Sequence, residues 1–358
     1  MAKAAETTPA QLPDAETTRR LFRTMALIRR FEERTEEQYT RARVGGYCHL
    51  AIGEEGAIVG AIDVLQDGDC LFASYRDHGQ ALAVGSPPAA VMAELFGKQT
   101  GVAHGRGGSM HLLDVSRRFF GGWGIVGGHL PIAVGAALAL EHTDQPYAVL
   151  CQFGDGATNT GAYHEALNLA AVWDLPIVFQ AINNQYGMGT SVKQSSAEPE
   201  LWRRAAAYRM HGERVDGNDV VEVREAVGRL LEEARSERRP ALIETVTYRY
   251  RGHSVADAGK VYRTPQEITA WRKKDPITRL GLLATEQGVL SAEEIEEIWS
   301  DVAAEVKDAI DEALGAAFPD PDTLYEHVYG DPRWREQFAA MRAGAPFGER
   351  GEEPSWLT

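Results

Sequence analysis

Residues Ala148 to Thr190 read AVLCQFGDGATNTGAYHEALNLAAVWDLPIVFQAINNQYGMGT, and the fold follows from this stretch. Its apolar runs, Ala148 to Phe153 and Ile177 to Ile182, are too short for helices and lack polar alternation, the pattern of strands buried on both faces. Between them Ala162, Ala166, Leu169, Ala170 and Trp173 recur at three- and four-residue spacing, which predicts a helix that Pro176 stops. The unit is βαβ with parallel strands. Both carboxyl ends then emerge on one edge of the sheet, where open α/β sheets bind their ligands.

That edge carries Gly154-Asp155-Gly156 after the first strand and Asn183-Asn184 after the second. Asp-Gly after a strand is ordinarily a turn, and Asn-Asn is common in loops. Paired across one βαβ unit they mean more. A carboxylate, an amide oxygen and a nearby main-chain carbonyl leave about three of magnesium's six positions open for a diphosphate and a water. The glycines flanking Asp155 let backbone approach a phosphate, and the helix that follows is expected to direct its positive end there.

The chain's 358 residues can bury a large core. Its 37 basic against 52 acidic residues give a net charge of -15 with no basic stretch, which argues against nucleic acid and anionic membranes as partners. Cys48, Cys70 and Cys151 lie in or beside apolar runs without metal-ligand spacing and are expected to be reduced core residues. No apolar run reaches eighteen residues, and the first twenty mix acids with Pro and Thr rather than resembling a leader. The expectation is a soluble, cytoplasmic protein. It has a mobile N-terminus over 1–17, an α/β domain with a mostly parallel sheet flanked by helices over 18–263, and a helical C-terminal extension over 264–358.

Along the chain, Thr17 or Thr18 is placed to cap a helix whose Leu21, Met25, Ile28 and Phe31 share a face. Gly45-Gly46 ends it, and Tyr47-Cys48-His49-Leu50 precedes a second helix from Glu54 to Leu65. A His beside a Cys suggests a metal ligand, but with no further ligand in register a packed or hydrogen-bonded His49 is the alternative. Cys70 to Ser74 reads as a short strand ending in Tyr75-Arg76-Asp77-His78. Arg76 there suits a phosphate through its planar fork of donors, or else pairs with Asp77 at the surface. A helix from Ser86-Pro87-Pro88 to Phe96 leads into a glycine-rich segment, 97–128, long enough to be functional. Within it Gly122 to Gly127 fits the GxGxxG dinucleotide pattern, with Glu141 near the expected distance, but Arg117 to Phe120 does not read as a buried strand, so the context fails. Leu130 to Leu140 is an alanine-rich helix. Residues 191–210 read as irregular. Leu242 to Val246 reads as a buried strand running on into Tyr248 to Ser254, whose end, with His253, should reach the same edge as Asp155 and Asn184. Thr264 and Ser291 begin capping boxes, and Ile295, Ile298, Trp299, Val302, Val306 and Ile310 form a stripe for core or a subunit interface.

Taken together these motifs carry a resemblance. GDG followed by NN at this spacing resembles the thiamin diphosphate fingerprint, and NNQYGMGTSV resembles the alpha subunits of the first component of pyruvate dehydrogenase complexes. The likeness runs from about Phe31 to Pro276 through GGYCHL, SYRDHG, GGSMH, GIVGGHLP and TYRYRGHS. It implies Mg2+ held by Asp155, Asn184 and the carbonyl of Tyr186. Tyr75, Arg76 and His253 would contact the cofactor diphosphate, with the backbone around Gly124, Val126, Gly156 and Ala157 against the cofactor. His49 would face the substrate, and His253 would serve acyl transfer. His129 stands where a Gln is common. Ser254 matches a phosphorylated serine of the mitochondrial relatives, whereas Val261 stands about where their second regulatory serine falls.

The implied activity is oxidative decarboxylation of a 2-oxo acid, pyruvate foremost, with acyl transfer to a lipoyl-bearing acyltransferase component. No second, pyrimidine-binding domain is recognisable, so the resemblance implies a beta subunit, two alpha with two beta, that supplies the activating glutamate. The alternatives are a branched-chain 2-oxo acid or acetoin dehydrogenase alpha subunit, or a non-catalytic thiamin diphosphate-binding regulator.

Overall fold

Val149–Gly154 and Ile177–Asn183 pair in parallel, with Val149 opposite Ile177 and Gly154 opposite Ile182, and the helix Gly161–Val172 lies between them in sequence. The computed structural model describes residues 11–324 and 326, so most of the N-terminus expected to be mobile over 1–17 and the end of the helical extension expected over 264–358 lie outside the described residues. The chain divides at Phe318 into two units, and the sheet and its helices belong to Met1–Phe318.

Numbered in chain order, the strands of the sheet are β1 (Cys70–Ser74), β2 (Phe119–Trp123), β3 (Val149–Gly154), β4 (Ile177–Asn183), β5 (His211–Asp216) and β6 (Ala241–Val246). They form one six-stranded sheet in the order β2-β1-β3-β4-β6-β5, every neighbouring pair parallel. Successive side chains of a strand face opposite ways. Leu150, Val178 and Ile243 therefore join a core with the helices Ala15–Thr40, Glu55–Ile62 and Val220–Glu237, while Cys151, Phe179 and Leu242 join another with Leu130–His142 and Gly161–Val172. The expected α/β sandwich is present. The free cysteines Cys48, Cys70 and Cys151 are all buried in it.

Thr264 and Ser291 cap the helices Pro265–Arg272 and Ala292–Gly315, but only the Ser291–Glu294 capping box is complete, since Glu267 accepts instead from Tyr186 OH and Tyr248 OH, both at 2.9 Å. Ile298, Val302, Val306 and Ile310 are buried, and their helix packs on Ala15–Thr40 and Pro88–Leu95. The stripe is core. Among the described residues no helix is long and apolar enough to cross a membrane.

Several expectations are corrected. Asp14, not Thr17 or Thr18, caps the first helix, its Oδ1 accepting from Thr17 N at 2.8 Å. The second helix is Glu55–Ile62, ending before Leu65. The helix after β3, Gly161–Val172, buries Tyr163, Ala166, Leu167 and Ala170, with Ala162 and Leu169 half-buried, and ends before Trp173, which is its exposed C-cap. Residues Asp155–Asn159 form a 3-10 turn ahead of it, so the helix terminus does not follow the GDG directly. Phe119–Trp123 is a strand where none was expected. As an edge strand rich in glycine it carries a weak β signal, and it is held by pairing to β1 and by backbone bonds to Leu112 and Asp114. Glu141 nevertheless lies in the last turn of Leu130–His142 and pairs with Arg238 at 3.0 Å, so no ribose-binding acid follows the strand. Residues 191–210 include the short helix Val192–Ser195 and the 3-10 run Leu201–Tyr208.

Candidate active site

The strand order reverses direction between β1 and β3, and a crevice opens there at the carboxyl edge. His49, Tyr75, Arg76, Gly124, Val126, Asp155, Gly156, Ala157, Asn184, Tyr186 and His253 all line a single cavity of about 450 Å³ at this place. Every residue that the sequence reading gave to the metal, the cofactor or the substrate is therefore brought together. Except for His49, which precedes the helix Glu55–Ile62, the segments follow β1, β2, β3, β4 and β6, so the parallel sheet does most of the gathering.

At one end of the cavity, oxygens converge. Asn184 Oδ1 and the carbonyl of Tyr186 lie 3.1 and 3.0 Å from the same nitrogen, Arg249 Nη1, which donates to both. A positive group thus already sits where these two oxygens point. Asp155 is buried beside them, and burial pushes its carboxyl up to about 6 against the lowering field of Arg249. Close backbone approach puts Gly156 against Gly187, which joins the Asp155 turn to the Tyr186 loop. Among the described residues no three His, Cys, Asp or Glu side chains gather as a metal cluster. One carboxylate, one amide oxygen and one main-chain carbonyl make instead the hard, oxygen-only set that suits magnesium. The residues fit that ion.

At the other end lie an arginine and two imidazoles. Arg76 is buried and does not pair with Asp77: it donates through Nη1 to Leu50 O at 2.7 Å and through Nη2 to His253 O at 3.0 Å. Each η nitrogen keeps a second N–H for an anion. Asp77 instead accepts from Leu112 N at 3.0 Å, and a Cβ at Gly122 would overlap its carboxylate, so β2 passes this close only with glycine. The rings of His49 and Tyr75 lie 4.5 Å apart by centroid. Burial, with Arg76 adding to it, pushes His49 down to about 2 and His253 down to about 3, and the Nδ1 of each has no protein partner. Both are neutral imidazoles with a free ring nitrogen. His253 is set by Asp257, which accepts from His253 N at 2.7 Å, Gly259 N at 2.8 Å and Tyr262 OH at 2.5 Å. His129, in the same wall, donates through Nε2 to Gln152 O at 2.9 Å, and burial holds it neutral, down to about 4.

The family model described as "Dehydrogenase E1 component" matches residues 23–322. This chain belongs to the dehydrogenase E1 component family. The E1 relatives include the pyruvate dehydrogenase E1 component subunit alpha of Rickettsia bellii, 39% identical over 309 residues that cover 86% of this chain and 94% of the relative. The protein of that name from Rhizobium meliloti is 40% identical over 308 residues, 86% of this chain and 88% of the relative. The one from Porphyra purpurea is 37% identical over 318 residues, 87% and 92% respectively.

This E1 chain also uses residues that sequence reasoning passed over. Arg249, 1% exposed, read only as part of a strand end. Glu54 read as the start of a helix, yet its carboxylate enters the cavity, accepting from Asn184 Nδ2 at 2.9 Å and lying 3.6 Å from Arg76 Nε. Glu94, fully buried, organises the glycine-rich segment: its oxygens accept from the backbone N–H of Ala103, Gly105, Gly107 and Gly108. The one available signal was charge in an apolar helix. Glu94 stands within PAAVMAEL with no basic residue in the helix to pair with it.

Proposed function

We propose that this chain is the diphosphate-binding alpha subunit of a thiamin diphosphate-dependent pyruvate dehydrogenase. It works as two alpha with two beta subunits and delivers its acyl group to a lipoyl-bearing acyltransferase component. The observation that carries this reading is the convergence, at one sheet edge, of a magnesium-type oxygen set with a buried arginine and two neutral imidazoles. The names of the relatives support pyruvate as the 2-oxo acid.

Bound thiamin diphosphate supplies the carbanion and the electron sink that decarboxylation of a 2-oxo acid requires. Asp155, Asn184 and Tyr186 hold Mg2+. Arg76, Tyr75 and His253 take the diphosphate, with the backbone at Gly124, Val126, Gly156 and Ala157 close enough to contact the cofactor because no bulky side chain intervenes at the glycines. The neutral imidazole of His49 faces the 2-oxo acid, and its unpartnered Nδ1 is free to accept or donate a hydrogen bond. His253 Nδ1 has the same freedom and serves acyl transfer.

A beta subunit is supported by the surface at the mouth. Tyr47, Ile125, Val126 and Met188 are large exposed apolar side chains, and Val126 and Met188 themselves line the cavity. Apolar surface of this kind suits burial against a second chain. The beta subunit also brings the glutamate that activates the aminopyrimidine ring. Reduced, buried thiols suit the cytoplasm as the compartment.

Reconstitution with the beta subunit, calorimetric titration of thiamin diphosphate with and without Mg2+, and turnover of pyruvate, 2-oxoisovalerate and acetoin test the reading. Mg2+-dependent binding and preferred turnover of pyruvate are expected. Preference for either other substrate moves the chain to another branch of the family, and binding without turnover of any makes it a non-catalytic binder.

A further inference from the structure

Glu54 lines the cavity without a part in the reading above. It occupies the N-cap position of Glu55–Ile62, where an acid ordinarily accepts from the first free N–H groups of its own helix. Glu54 makes no such bond. Its carboxylate, 3% exposed, is committed to Asn184 Nδ2 at 2.9 Å. On the opposite end of the same amide, Arg249 Nη1 donates to Oδ1 at 3.1 Å and also to the carbonyl of Tyr186 at 3.0 Å. The two ends of a primary amide have nearly the same shape and differ in being donor or acceptor. An acceptor at one end and a donor at the other therefore fix which end faces which way.

The two partners are themselves locked together. Thr247 Oγ1 donates to Gly53 O at 2.8 Å and Tyr250 N donates to Ile52 O at 2.9 Å, so the backbone before Glu54 is bonded to the backbone around Arg249. Gly53 has φ +104, and a Cβ there would overlap the carbonyl of Tyr248. That contact is available only to glycine. Asn184 is thus held between two groups that do not move independently.

We propose that Glu54 is a positioning residue for the cation site: by binding Asn184 Nδ2 it commits Asn184 Oδ1 to the metal. With the amide reversed, an NH2 group would face a divalent cation and one of the three protein ligands would be lost. This rests on the reading that Asp155, Asn184 and Tyr186 hold the cation.

The test is a titration of Mn2+ into the assembled alpha-beta protein at saturating thiamin diphosphate, with free Mn2+ followed by electron paramagnetic resonance. Glu54→Leu, which removes the acceptor, is expected to raise the cation Kd at least tenfold. Glu54→Gln, which keeps an acceptor oxygen without the charge, is expected to stay within threefold of wild type. The turnover lost in Glu54→Leu is expected to return at saturating cation, which a general structural defect would not allow. Glu54→Asp, whose acceptor is withdrawn by one methylene, serves should the leucine variant not assemble, with at least a fivefold rise expected. Asp155→Ala reports on the cation site itself. If Asp155→Ala weakens the cation while Glu54→Leu or Glu54→Asp binds it as wild type does, the positioning role is overturned and the site stands. The role is equally overturned if Glu54→Gln is as weak as Glu54→Leu, since charge rather than the amide contact would then matter. A wild-type Kd in Asp155→Ala overturns the cation-site reading, and the role of Glu54 with it.

Discussion

The imidazoles of His49 and His253 meet edge to face, their centroids 5.0 Å apart and their planes at 81°. Both are held below the ordinary imidazole value of 6.5, at about 2 and about 3, by burial and then by Arg76. In the unfolded chain each takes up a proton near 6.5, so between that pH and the folded values the unfolded state binds more protons. The stability the neutral pair contributes is complete above pH 6.5 and is lost as the pH falls toward 3. Wild type is expected to lose stability relative to a His49→Gln, His253→Gln double variant on going from pH 7.5 to 5, read from urea midpoints. A difference that does not change with pH would show that the two rings titrate normally in the fold.

Arg76→Lys is expected to weaken thiamin diphosphate by about 1 to 3 kcal/mol, the range for a charge-assisted hydrogen bond. Arg76 bridges Leu50 O and His253 O with two different nitrogens, and a single ammonium cannot span both and still meet a phosphate. Calorimetry on the reconstituted protein checks this. Unchanged affinity in the lysine variant would remove Arg76 from the diphosphate site.

Glu94→Gln is expected to destabilise the chain by at least about 2 kcal/mol, because an amide nitrogen would face backbone N–H groups that now share a carboxylate, leaving buried donors unsatisfied. Denaturant unfolding measures it, and hydrogen exchange should quicken at Ala103, Gly105, Gly107 and Gly108. A variant as stable as wild type, with those amides still protected, would mean that the segment holds itself without the carboxylate.

Ser254→Glu is expected to lower turnover of the reconstituted protein at least tenfold, while Ser254→Ala changes it little. Ser254 is buried between His253 and Val255, Val255 N bonds Cys48 O at 2.9 Å, and Asp257 N bonds Ser254 O at 3.0 Å. A negative charge placed there meets Asp257 and the loop that carries His253 toward a diphosphate, and like charges repel. Near-wild-type turnover of Ser254→Glu at saturating cofactor would detach this loop from the cofactor and weaken the role of His253.

The sequence by itself determined the βαβ unit, the sheet edge at which Asp155 and Asn184 meet, and part of the cavity lining, without Glu54 and Arg249. These are legible because apolar periodicity and strand-end motifs are local: each is written within a few residues, and parallel connection alone brings their ends together. Tertiary structure decided the rest. Glycine-rich β2 and half-exposed β5 are strands only because a neighbour pairs with them. Glu54 reaches Asn184 across 130 positions of sequence and Arg249 reaches it across 65. Glu94 reads as an unpaired acid in an apolar helix until the loop folds over it. A hydrogen bond between distant residues leaves no periodicity in either segment, so the partners that orient a site become visible only when the chain has closed around them.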